Sequence, residues 1–191
     1  MAAVVATELN ARLIDQLKSV HALKAGALRM FDPMLAAVAA ERSAPRMRDV
    51  GDLLERMHRV FSAHRQETAA HVEVLEGRLR ALDREPSRGR VAGMSVGATA
   101  RARIGAVGGQ NHGANARDAF VFEHLEIACL ALLEELALRS DDAQTAAAAH
   151  DCRVQDELMA ATINRNWTNV LTLMLASQGL PTARPDSGDG G

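Results

Sequence analysis

Aromatic residues are scarce in this chain. Phe, Trp and Tyr together make up 3% of its 191 residues, and Tyr is missing altogether. Strand-rich proteins draw on aromatic and β-branched residues, so the scarcity argues against a β architecture. Cysteine is almost absent too, with only Cys129 and Cys152. No disulfide framework is indicated, and a reducing cytoplasm is the expected compartment. Both thiols fall on apolar helical stretches, where they read as small buried hydrophobes rather than nucleophiles. Charge of one sign is not in excess. A net charge of -2 gives no chain-wide basic field, so nucleic acid and anionic membrane are not expected partners. No window holds the ~18 uninterrupted apolar residues of a membrane span. The first residues show no basic stretch followed by a long apolar run, so no signal peptide is expected.

What the chain does have is Ala and Leu, which supply most of its 48% hydrophobic content. Both are strong helix formers, and the fold class expected is all-α. The length suits one domain with an ordinary core. Apolar residues recur at helical spacing in four runs. The first runs from Thr7, as N-cap, to about Ala40, with Pro33 expected to kink or divide it. The second runs from Arg46 to about Leu82, and the third from about Asn115 to Arg139. The fourth follows an Asp141 or Asp142 cap and reaches about Ala176, with Trp167 on its apolar stripe. Short turns make two antiparallel hairpins, and a long connection over about 83–114 joins them, with one short helix expected near Thr99 to Val107. Two hairpins and one long crossover predict a ferritin-like antiparallel four-helix bundle over residues 1–176, with a disordered tail at 177–191. A plain up-down-up-down bundle is the alternative.

Each apolar stripe is interrupted by polar residues near mid-helix. Lys24 follows Val20 on the first helix. His64, Glu67 with Thr68, and His71 lie between Phe61 and Leu75 on the second. Glu123 and Glu126 precede Leu130 on the third, and Asp156 lies between Cys152 and Met159 on the fourth. Helices of similar length packed side by side share their midpoints, so these residues are expected to converge in one buried layer. Buried carboxylates need partners, and metal ions, a lysine or shared protons can serve. His21, His58, His112, His124 and His150 fall off the stripes or in loops and are expected at the surface or rim.

The stretches HRQETAAHVEVLEGRL, NARDAFVFEHLEIACLALLEELA and INRNW resemble ferritin-like proteins of the bacterial YciE/YciF type, a stress-associated group. The resemblance spans about Leu13 to Leu175 and is most specific at Phe122 to Ala128, supported by His64 to Thr68. It implies a bundle able to hold two iron or manganese ions. By position it implies Glu67, Glu123 and Glu126 as ligands, Asp156 where the family usually has Glu, and His71 or His64 as a terminal ligand. The chain departs from the family at Lys24, where Glu is usual, and at Leu130, where Tyr is common.

Two functions follow. One is a di-iron or di-manganese carboxylate protein oxidising Fe²⁺ or reducing peroxide, with the site partly degenerate. The other is a metal-free bundle, a structural or protein-interaction module in which Lys24 replaces the metal charge. A homo-oligomer is compatible with both. The sequence names no catalytic residue and no protein partner.

Overall fold

The computed structural model of the protein describes residues 2–93 and 111–183. Among these residues there are helices and turns but no strand. The long elements are α1 (Ala2–Glu41), α2 (Gly51–Ala81), α3 (His112–Arg139) and α4 (Ala143–Asn164), followed by the shorter α5 (Trp167–Ser177). A 3-10 stretch, Pro45–Val50, leads into α2, and residues 88–93 are helical.

Several expected boundaries are corrected. Helix α1 begins at Ala2 rather than Thr7, so Thr7 lies within the helix instead of at its N-cap. It also runs through Pro33 undivided. The first turn expected of α2 is 3-10 instead of α. Helix α3 starts at His112, three residues early, because the Asn111 side chain accepts a hydrogen bond from the Ala114 N–H and caps it. The expected fourth helix is two, broken at Arg165 and Asn166. Asn is a poor helix former, and Asn166 turns its amide back to the Thr162 carbonyl. The break leaves Trp167 at the rim, 37% exposed and edge-on to Phe120, rather than in the core. Asp142 caps α4 as expected, accepting from the Thr145 N–H at 3.0 Å, while Asp141 takes a left-handed φ of 54° that ends the preceding turn. The expected short helix over 99–107 and the tail from 184 lie outside the described residues.

Cross-helix pairs set the directions. As positions climb through 21, 32 and 42 along and just past α1, their partners fall through 76, 65 and 55 on α2. Positions 16, 24 and 41 likewise meet 129, 126 and 112 on α3. Both α2 and α3 therefore run against α1. His71 meets Gln155 and Arg78 meets Thr145, so α4 runs against α2. The principal contacts make a circuit from α1 to α2, α2 to α4, α4 to α3, and α3 back to α1.

The core divides along that circuit. One apolar cluster gathers Leu13, Leu17, Val20, Leu75, Leu79, Leu130, Leu133 and Cys152. A second gathers Ala27, Phe31, Phe61, Ala119, Met159 and Ile163. In the interval between the two, every long helix carries buried polar residues: Lys24, His64 with Thr68 and His71, Glu123 with Glu126, and Asp156, whereas the buried His112 and Thr145 lie outside it. A third cluster, with Val38, Met47, Leu54 and Leu173, packs α5 and the 3-10 stretch against α1 and α2. None of the described helices is long and apolar enough to cross a membrane.

Candidate functional site

Lys24 is fully buried and points between α3 and α4. Its Nζ donates to both carboxylate oxygens of Asp156, at 2.7 and 2.6 Å. The same Nζ lies 3.1 Å from Glu126 Oε2, an ion-pair distance outside hydrogen-bond geometry. Glu126 and Glu123 are buried one turn apart on α3. Neither oxygen of Glu126 has a hydrogen-bond partner, and neither does Glu123 Oε2. Glu123 Oε1 is held instead by His64, whose Nε2–H donates to it at 2.8 Å.

His64 faces a carboxylate on each side. Its Nδ1 lies 3.1 Å from Glu67 Oε2. Two nitrogens against two carboxylates favour the doubly protonated ring. Its backbone carbonyl accepts from Thr68 Oγ1, and Phe31 stands edge-on to the ring at 5.5 Å. His71 is also buried, with Nε2 donating to Gln155 Oε1 at 2.8 Å and Nδ1 3.7 Å from Asp156.

The expected layer therefore forms from Lys24, His64, His71, Glu123, Glu126 and Asp156. Glu67 does not join it. Its side chain is 49% exposed, because Thr68, the next residue, takes the inward position on α2. His21 and His112, expected at the surface or rim, are buried. They are tied to Glu76 at 3.1 Å and Glu41 at 2.9 Å. Gln155 is a member of the cluster's surround that the sequence did not single out. Thr68, expected beside Glu67 on the interrupted stripe, is the one of the two that is buried.

Burial and charge oppose each other here. Burial lowers the Lys24 pKa, but Glu126 and Asp156 more than reverse this and leave it above the ordinary value. Burial likewise works against a charged His64, and Glu123 with Glu67 overcomes it, so its pKa is raised. Burial, with Lys24 nearby, drops His71 to about 4. Burial lifts Glu126 to about 8 against the pull of Lys24. Asp156 rises to about 6 for the same reason, although Lys24 grips both its oxygens. Lys24 gains from three acids, whereas at Asp156 burial, with Glu123 beside it, outweighs the pull of Lys24 and His64. At neutral pH Lys24 therefore stays charged against Asp156, while Glu126, lifted to about 8, carries a proton.

The fit of a metal pair is decided by the same atoms. His64, Glu123 and Asp156 each offer a donor, all within 4.8 Å of one another. The unpartnered oxygens of Glu123 and Glu126 are of ligand type as well. Against them, both Asp156 oxygens are occupied by Lys24. A protonated amine has no lone pair to give a metal, and it repels a nearby cation. The donor set does not fit two ions.

Residues 8–175 match a family described as a domain of unknown function, DUF892. The chain belongs to DUF892. The matched stretch contains all of the buried charged layer, from Lys24 to Asp156. No curated protein matches this DUF892 chain.

Proposed function

We propose that this DUF892 member is a ferritin-like four-helix bundle, of the YciE/YciF type, that works as a metal-free structural or protein-interaction module. Lys24, seated between Asp156 and Glu126, is the observation that carries the proposal. The helix directions support the bundle topology, since α2 and α3 both run against α1 and need a long return connection between them. The polar layer would then fix register, because any sliding of one helix separates a buried charge from its partner. Activity as an oxidase is not part of the proposal. The setting proposed is cytoplasmic, with both thiols free. Neither nucleic acid nor membrane is a proposed partner, and a homo-oligomer is compatible with it.

A second reading has its own observation. The His64, Glu123 and Asp156 donors could hold one ion if Asp156 released Lys24. Elemental analysis separates the two. Protein purified from cells supplied with iron and manganese is expected to carry far less than one ion per chain. About one ion, lost in the His64→Ala variant, would establish the second reading. About two ions would overturn both.

A further inference from the structure

A cleft of about 770 Å³ opens between α1, the second half of α2 and residues 85–92, and none of the buried layer lines it. We propose that this cleft binds a phosphorylated small molecule of nucleotide size. The inference is independent of whether the buried layer holds metal.

The volume lies in the range of small-molecule sites, about 300–1,000 Å³. Three arginines from three parts of the chain meet there: Arg29 on α1, Arg80 on α2, and Arg88 in the helical turn beyond. None has an ion-pair partner among the described residues. Their neighbours do. Arg78 is tied to Asp142 and Arg90 to Asp15, whereas the three arginines facing the cleft are not held by a carboxylate among the described residues. Guanidinium groups match phosphate oxygens in pairs of hydrogen bonds, which favours phosphate over a diffuse anion.

The wall supplies a second, independent observation. His21 lines the cleft at 3% exposure, and its Nδ1 has no hydrogen-bond partner. Its Nε2 is engaged by Glu76 Oε1 at 3.1 Å, which leaves Nδ1 as the unpartnered ring nitrogen. A buried polar atom without a partner is costly, and a ligand hydroxyl that reached it would satisfy it. Glu76 is thus engaged by His21, and Glu85 remains as an acceptor for a second hydroxyl or an amino group. Val72 and Pro86 give an apolar surface for a ring. Arginines at the rim, acceptors inside and an apolar wall suit a nucleotide better than a bare inorganic anion.

Calorimetric titration of the full chain at low salt tests this, with ATP, AMP and inorganic pyrophosphate as probes. Chelator is present throughout, so that metal carried by ATP is not read as binding. ATP is expected to bind more tightly than either AMP or pyrophosphate. Arg29→Ser and Arg80→Ser should each weaken it by about tenfold or more. Both side chains are exposed, so the variants are expected to melt with wild type. Arg56→Ser, an exposed arginine that lines a different pocket, should leave ATP binding unchanged. No heat of binding with ATP at about 1 mM would overturn the proposal. So would equal losses in Arg56→Ser and Arg80→Ser, which would mean unspecific attraction. Tighter binding to a DNA duplex than to ATP would also overturn it, in favour of a nucleic-acid surface.

Discussion

Lys24→Met is expected to lower the unfolding free energy by about 3–5 kcal/mol, the cost of leaving a buried ion pair half removed. Met keeps the length and flexibility of lysine, so little cavity is created. What changes is charge. Asp156 loses both its hydrogen bonds and Glu126 its nearest cation. Asp156 must then take up a proton or stand as an uncompensated buried charge, whereas Glu126, lifted to about 8, already carries its proton at pH 6.5. Replacing both partners should cost much less than replacing one. Lys24→Met combined with Asp156→Leu is expected to recover more than half the loss, since apolar groups of similar size need no partner. Urea unfolding at pH 6.5 measures all three proteins. A double variant no more stable than Lys24→Met would mean that the pair is not coupled as the geometry requires.

Stability should also fall as pH rises from about 6.5 to about 8, and Glu126 should carry much of the fall. Its carboxyl holds a proton up to about 8 when folded, against an ordinary 4.5. Its contribution is complete below pH 4.5 and lost as pH climbs through about 8. Asp156, lifted from 3.8 to about 6, acts with the same sign but earlier. His64, raised above 6.5, acts with the same sign in the window itself. His71 acts the other way. Lowered from 6.5 to about 4, it adds stability above pH 6.5 that is lost as pH falls through about 4. Above pH 6.5 its effect is complete, so it does not mask the slope from Glu126. One proton held only by the folded state is worth at most about 1.4 kcal/mol per pH unit. Glu126→Gln cannot titrate, so its profile should be flatter than wild type by up to that amount. Parallel profiles over pH 6.5 to 8 would show that Glu126 is already ionised at pH 6.5.

The layer was legible because helical periodicity is strict. A residue three or four positions from two core leucines has to face inward. That reasoning finds Lys24 between Val20 and Ala27, and Asp156 between Cys152 and Met159. It was not carried through on two residues. His21 is four after Leu17 and three before Lys24, hence on the same face, and it is buried. Glu67 is three after His64, but Thr68 is four after it and lies nearer the centre of the stripe. Where a stripe is several residues wide, sequence gives the face and only packing gives its edge. The break between α4 and α5 was harder to see. Apolar spacing continues across INRNW into Val170, and only the two asparagines mark the interruption. The partners within the layer were not legible at all. That Lys24 reaches Asp156 and Glu126 while His64 takes Glu123 depends on relative helix heights.

The central claim is that Lys24 stands in place of metal charge, and thermal melts of Lys24→Glu test it most directly. The variant turns a layer with one lysine among three acids into one with four acids and no lysine. In chelator it should melt well below wild type, because like charges in a poorly solvated core repel. With Mn²⁺ or Fe²⁺ added without oxygen, its melting temperature should rise, since an ion bound only by the folded state stabilises that state. Wild type should change little with either addition. A Lys24→Glu protein as stable as wild type in chelator and indifferent to metal would contradict the claim.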